Sequence, residues 1–235
     1  MVAQTSIVGQ LGVAPAMVGE LMVKEDSLRA QFARAGLTWP AHEVYIRSFK
    51  YDSQLEVWVR NNDSDPFTLF KTYNVCVMAG SIGPKRIEGD YQVPEGFYYI
   101  SQFNPRSEYH LSLKLDYPNE SDNILSDPTK PGDGIYIHGN CVSVGCIPLQ
   151  NDQIDEVYLI ASAARLNGEA YVPVHVFPIR FNNPKSVAYY TKYSFDNVLL
   201  QHFISSLKPF YDYFENTHQV PLVGILKTGD YDLLN

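Results

Sequence analysis

The chain has 235 residues and a formal net charge of −8, a size that suits one domain with or without an appendage. An acidic chain of this kind excludes extended electrostatic binding to nucleic acid or anionic lipid, so we expect neither as a partner. No stretch is long and apolar enough to predict an integral membrane segment.

The N-terminal part of the chain predicts a helix. Apolar side chains at Met17, Leu21 and Leu28 recur at helical spacing. Gly36 is a plausible stop, since glycine commonly follows the last turn of a helix. We therefore assign residues 1–40 to an N-terminal helical segment.

From Glu43 the apolar period changes to that of strands. Apolar and polar side chains alternate on both sides of a turn at 51–53, which predicts a hairpin. Further strand candidates follow at 67–73, 75–78, 97–101, 110–115, 135–137 and 172–176. Pro173 predicts that the last of these strands lies at the edge of a sheet.

Helices and loops separate these strands. Asp152 can cap a helix that ends near Gly168, and residues 184–215 predict one or two helices with an aromatic face. We read residues 119–134 as an exposed loop. Residues 80–96 hold four glycines and two prolines, which is typical of a functional loop on a β scaffold.

Many strands with a few helices predict a β-rich α+β fold. We expect the main domain at residues 41–182. Residues 183–235 are expected to form a mostly helical C-terminal extension packed on it.

Cys146 and His138 are the first candidates for catalysis. Cys146 ends the run Ser143-Val-Gly-Cys146, and His138 lies eight positions before it at the end of an apolar run. If the chain folds back, His138 can take the thiol proton, and the amides of Gly145 and Cys146 can hold an oxyanion. Ser143 either hydrogen-bonds within the turn or adds to these donors.

Residue types alone leave plainer interpretations open. His138 can be structural and Cys146 simply buried, since burial is the usual fate of a free cysteine. Cys141 and Cys146 can instead form a disulfide or a metal pair, although a Cys-x4-Cys spacing is typical of neither zinc nor redox motifs. Cys76 lies in an apolar run and is expected to be a small buried hydrophobic residue.

The run His138-Gly-Asn-Cys-Val-Ser-Val-Gly-Cys146 resembles the active-site motif of the YkuD-type L,D-transpeptidases, and more narrowly their murein L,D-transpeptidase branch. Other segments are similar to that branch in the same order: Gly83-Pro-Lys, Glu88-Gly-Asp90, Pro94-Glu-Gly-Phe97, His110-Leu-Ser-Leu and Tyr117-Pro-Asn119. The resemblance covers residues 44–179. Pro148 stands where many relatives have an arginine that is thought to bind a carboxylate.

The resemblance implies a mixed sheet or sandwich with flanking helices. It implies Cys146 as the nucleophile and His138 as the base, with Gly145 and Ser143 completing the catalytic set. The implied reaction is acyl transfer from a peptidoglycan stem peptide, either to an amine, giving a cross-link or an attached protein, or to water. No metal and no organic cofactor are implied. The implied location is the periplasm or cell envelope, with a signal peptide removed from this chain.

Five further residues are expected to contact the substrate. Lys85 and Arg86 offer a local positive patch for an acidic peptide, with the 80–96 loop as one wall of the cleft. His110 either contacts the peptide or orients the base, or it is a half-buried strand residue. Gly139 and Asn140 directly follow the base.

Two other classes of protein remain open on the sequence. One is a non-catalytic protein that binds the cell wall and keeps the fold. The other is a thiol-redox protein that uses Cys141 and Cys146 as its pair.

Overall fold

The computed structural model describes residues 6–234. Helix α1 (Pro15–Arg34) begins with Pro15 at its first position, where the missing N–H has no intrahelical partner to lose. Its buried side chains Leu21, Leu28 and Phe32 belong to the main core. The predicted N-terminal helix is confirmed here, and residues 1–5 of that segment lie outside the described residues.

Within the described residues, eight strands form one mixed sheet. They are β1 (Glu43–Phe49), β2 (Gln54–Arg60), β3 (Thr68–Asn74), β4 (Gly96–Ser107), β5 (His110–Leu115), β6 (Tyr136–His138), β7 (Ile147–Pro148) and β8 (Pro173–Phe177). Their order is β3-β2-β1-β8-β4-β5-β6-β7. The pairs β1–β8 and β6–β7 are parallel and the others antiparallel. The expected α+β fold with a mixed sheet is confirmed.

Strand β8 lies inside the sheet, so its predicted edge position is wrong. It pairs with β1 on one side and with β4 on the other. Pro173 is its first residue and stands opposite Tyr99, while the neighbouring ladder bond runs from Ile100 N–H to Val172 O. A proline at the first position of a strand removes no interior ladder bond, so it is compatible with a central strand.

A short 3₁₀-helix (Val8–Gln10) precedes α1, and four more α-helices and a hairpin complete the described chain. They are α2 (Glu120–Leu125), α3 (Asn151–Leu166), α4 (Pro184–Tyr193), α5 (Val198–Thr217) and the strands β9 (Leu222–Ile225) and β10 (Tyr231–Leu234). The C-terminal extension, expected to be mostly helical, contains α4 and α5 and also ends in the β9–β10 hairpin. Among the described residues, no helix has both the length and the apolar character needed to cross a membrane.

Three local predictions need correction. The 119–134 loop contains α2, which Asn119 caps and which buries Ser121 and Asp122. Helix α3 begins after Gln150, whose N–H donates to the Gln153 side chain, so Asp152 lies in the first turn and is not the cap. Residues 75–78 do not form a strand; the chain there turns away from β3.

Both faces of β1 are buried, although its side chains alternate between apolar and polar. One set, including Val44 and Ile46, lies in the main core, and α5 covers the other face. Arg47 is buried on the second face, where its guanidinium lies 2.8 Å from Glu56 and 2.7 Å from Glu215 of α5. A buried cation needs such partners, so this ion-paired network fixes α5 against the sheet.

The connection from β6 to β7 is unusually short for parallel strands. Ile137 pairs with Ile147 and His138 with Pro148, so residues 139–146 make the whole return. Parallel neighbours usually need a crossover of about a dozen residues or more. The short return is reached through left-handed or otherwise positive φ at Asn140, Cys141 and Gly145.

A disulfide between Cys76 and Cys141 fastens this connection to the segment after β3, with 5.2 Å between the two Cα atoms. The expectation that Cys76 is a buried hydrophobic residue is therefore wrong; it is an exposed half of a disulfide. A Cys141–Cys146 pair is excluded too, since Cys146 is the free cysteine. The Cys76 N–H also donates to Pro148 O at 2.9 Å, so the same segment supports β7.

Removing this disulfide should destabilise the protein. The bond closes a loop across 65 positions of sequence. We expect the double variant Cys76→Ala/Cys141→Ala to lose about 2–4 kcal/mol of unfolding free energy, measured by urea denaturation. Cys146→Ala keeps the disulfide and should unfold near the wild-type midpoint. A double variant as stable as the oxidised wild type would contradict the bond.

Candidate active site

A cleft of about 640 Å³ opens where β5, β6 and the β6–β7 connection meet. His138, Ser143 and Cys146 line it, so three of the four predicted catalytic residues share one cavity. The parallel pairing of β6 with β7 causes this, because it lays the end of β6 beside the residue that precedes β7. The cleft therefore combines a thiol and an imidazole.

The imidazole of His138 is held in one tautomer. It is 3% exposed, and its Nδ1 lies 2.6 Å from Gly139 O. Because a carbonyl oxygen only accepts, Nδ1 carries the proton and Nε2 keeps its lone pair in the neutral ring. Burial lowers the pKa of His138 from its ordinary value of 6.5. The ring is therefore a neutral base at neutral pH.

The thiol of Cys146 is protonated at neutral pH. Burial raises its pKa above the ordinary value of 9.0, and a backbone hydrogen bond from Tyr136 and the charge of Lys85 act in the opposite direction. The Sγ atom lies 3.6 Å from Gly134 O, which accepts the S–H. The thiol and the imidazole thus form a neutral pair at neutral pH, and a thiolate forms only when the thiol loses its proton.

Ser143 forms the turn that carries the nucleophile. Its Oγ accepts the N–H groups of Gly145 at 3.1 Å and Cys146 at 2.7 Å, and it donates to Cys146 O at 2.8 Å. Of the two roles expected for Ser143, the structure has the hydrogen bond within the turn. The two amides expected to face an oxyanion are engaged by this hydroxyl in the conformation described.

Gly145 lies at a position that favours glycine. Its φ is +143°, and a Cβ there would lie 3.2 Å from Gln92 O. Any larger residue would push the nucleophile turn away from the 80–96 loop. The 80–96 loop therefore packs against the turn that holds Cys146, and none of its residues is among the described residues that line the cleft.

Lys85 and Arg86 are not among the described residues that line the cleft, so their expected role as substrate contacts stays a prediction. The Lys85 ammonium is buried and lies 2.5 Å from Asp90 and 2.9 Å from Ile87 O. The Arg86 guanidinium pairs with Asp122 at 3.3 Å. The Lys85 cation is thus neutralised inside the protein, whereas the ion-paired Arg86 side chain is 29% exposed. Lys85 still acts on the site at a distance, since its charge favours the Cys146 thiolate.

The other three expected substrate contacts support the framework of the cleft. His110 Nε2 lies 2.7 Å from Asp155 of α3, and the side chain is not in the cleft wall. Gly139 is buried where a Cβ would lie 2.7 Å from the Asn151 side chain. The Asn140 N–H donates to the same Asn151 oxygen at 2.9 Å. Helix α3 thus anchors both the β5 start and the residues after the base.

Sequence reasoning missed several residues of the cleft wall. Tyr109 and Tyr136 line it, together with Val142 and Val144, which are 54% and 73% exposed. Val142 and Val144 lie inside the run from His138 to Cys146. Valines in a loop beside a candidate nucleophile are a sequence pattern that can indicate an apolar cleft wall. Tyr109 carries no such signal, because the fold alone brings the β4–β5 turn to the base.

Known proteins match this chain over most of its length. The family model of the YkuD L,D-transpeptidase catalytic domain matches residues 46–176. YafK of Escherichia coli strain K12, whose name is "Putative L,D-transpeptidase YafK", is 33% identical over 185 residues, which are 78% of this chain and 71% of YafK. The same identity and coverage hold for YafK of Escherichia coli O157:H7.

Two solved structures are also similar. The helical cell shape determining protein Pgp2 of Campylobacter jejuni is 20% identical with a TM-score of 0.46, over 78% of this chain and 73% of Pgp2. Bd1075 of Bdellovibrio bacteriovorus is 24% identical with a TM-score of 0.42, over 60% of this chain and 50% of that one. The family match and the identity to YafK carry the assignment: the chain belongs to the YkuD family of L,D-transpeptidase catalytic domains.

Proposed function

We propose that this protein is an L,D-transpeptidase that acts on peptidoglycan stem peptides through an acyl-enzyme on Cys146. The observation that carries the proposal is one cleft that holds a free thiol and a neutral imidazole of defined tautomer. Membership of the family supports the reaction class. The cleft volume of about 640 Å³ is within the range of small-molecule and peptide sites.

The first half-reaction forms the acyl-enzyme. His138 Nε2 takes the proton of the Cys146 thiol, and the sulfur attacks the carbonyl of the amide between an L and a D centre. The tetrahedral intermediate collapses, the C–N bond breaks, and the imidazolium returns the proton to the leaving amine. One base and one nucleophile therefore suffice for a balanced step.

The oxyanion of this step needs donors. The amides of Gly145 and Cys146 already converge on one oxygen, which is Ser143 Oγ. These amides can serve the oxyanion only if the hydroxyl turns aside, since each N–H makes one strong bond. We assign them that role with Ser143 as the group displaced.

The second half-reaction transfers the acyl group. An acceptor amine, from a second stem peptide or from a wall-attached protein, loses a proton to His138 and attacks the thioester carbon, and the thiol is restored. Water in place of the amine gives the hydrolytic carboxypeptidase or amidase outcome. Product masses separate these outcomes, because a cross-linked product contains both partners.

The disulfide bears on two parts of the proposal. Cys141 is bonded to Cys76, so it is not the redox partner of Cys146, and this argues against a thiol-redox function. Disulfides persist mainly in oxidising compartments such as the periplasm. The bond therefore supports the proposed periplasmic or cell-envelope location.

Replacing the nucleophile should abolish turnover. We expect Cys146→Ala to release no product from purified peptidoglycan fragments, because alanine cannot form the thioester. Mass analysis of the fragments and of the intact protein measures both product and acyl-enzyme. Unchanged melting would show that the fold survives. Products at the wild-type rate would remove Cys146 from the mechanism.

Replacing the base should slow acylation without stopping it. We expect His138→Gln to lower the acylation rate by roughly two to four decades, the usual contribution of a positioned general base. Stopped-flow acylation by a thioester or peptide donor measures the rate. A variant as fast as the wild type would mean that another group takes the proton.

The pH dependence should show the buried base. Since burial lowers the pKa of His138 below 6.5, kcat/KM should stay level as the pH falls through 6.5 and drop only below it. Alkylation of Cys146 by a neutral reagent should keep rising above pH 9.0, because the thiol pKa is raised. An acid limb centred at or above pH 6.5 would contradict a buried neutral base.

A further inference from the structure

The turn between β4 and β5 reaches over the proposed base. The Tyr109 ring lies with its centroid 4.8 Å from that of His138, and the two planes are inclined by 44°. Tyr109 is 46% exposed whereas His138 is 3% exposed. The tyrosine is therefore the solvent-side cover of the imidazole and also part of the cleft wall.

The backbone of Tyr109 is held in place at the tip of the hairpin. Tyr109 O accepts the N–H of Gly139 at 3.0 Å, and its own N–H donates to Ser107 Oγ at 3.0 Å. The neighbouring Glu108 O accepts from the Asn140 side chain at 3.3 Å. The tip of the hairpin is thus bonded directly to the two residues that follow the base.

The next residue adds the strongest anchor. His110 has a left-handed φ of +73°, which non-glycine residues adopt only when the surroundings fix it. Its Nε2 lies 2.7 Å from Asp155, whose side chain is 2% exposed on α3. This contact fixes the bend that turns Tyr109 towards His138.

We propose that Tyr109 is a positioning residue for His138, and that the His110–Asp155 pair acts through it. The ring blocks the imidazole from swinging out of the cleft wall, so Nδ1 stays on Gly139 O and Nε2 stays available. The inference rests on the proposed function only in taking His138 as the base. His110 thus contributes to the site without touching the substrate.

The test reads the state of His138 directly and does not need turnover. Imidazole tautomer and titration are followed by NMR on histidine-labelled protein, with His138→Gln used to assign the signal. Tyr109→Leu removes the ring, and Tyr109→Phe keeps it as the matched control. We expect Tyr109→Leu to mix both tautomers and to move the pKa of His138 back towards 6.5, because the ring no longer excludes water. Tyr109→Phe should keep the wild-type tautomer and titration.

A second measurement tests the anchor. Asp155→Leu removes the partner of His110 and should shift His138 in the same direction as Tyr109→Leu, by a smaller amount. The double variant Tyr109→Leu/Asp155→Leu should shift the His138 titration no further than Tyr109→Leu alone, because both changes act on one contact. The acylation rate should fall about tenfold in Tyr109→Leu. Most of the loss should appear in kcat rather than in KM.

Two results would overturn the proposal. One is a Tyr109→Leu protein whose His138 tautomer and titration equal those of the wild type. The other is full additivity in the double variant, which would mean that Asp155 acts by general stability. Because a failed transpeptidase assay would leave the NMR result intact, failure of the proposed function and failure of this inference are distinguishable.

Discussion

Residues 139–146 must carry the chain from the end of β6 back to the start of β7 while the two strands stay parallel. Most parallel pairs solve this problem with a long crossover. Here the return is tight, so its backbone adopts positive φ at Asn140, Cys141 and Gly145. Such a return needs support from outside itself, and the surrounding structure supplies it.

Three kinds of support hold the return. Ser143 satisfies the amides of the nucleophile turn with a single hydroxyl. The disulfide ties Cys141 to the segment after β3. At the start of α3, Asn151 accepts the N–H of Asn140 near the beginning of the return. The β4–β5 turn that carries Tyr109 lies next to it. His138, at the end of β6, and Cys146, at the end of the return, are therefore held by one short loop that is supported from outside.

The electrostatics of the site follow from this packing. Of the described residues that line the cleft, none is lysine or arginine, and burial keeps both reactive groups neutral at rest. Lys85 is close enough to favour the thiolate, yet Asp90 neutralises it inside the protein. The described cleft thus holds a neutral thiol and a neutral imidazole side by side in its wall.

The sequence by itself determined the hairpin of β1 and β2 and the first helix, because apolar periodicity is a local property. It also places His138 and Cys146 only eight positions apart, so that one short loop can bring both into the cleft. It did not determine that Cys76 bonds to Cys141, since 65 positions separate them. Nor did it predict that Lys85 turns inward, that β8 is central, or that Tyr109 covers His138. These outcomes depend on which strands become neighbours in the sheet, a long-range choice that only the tertiary structure made.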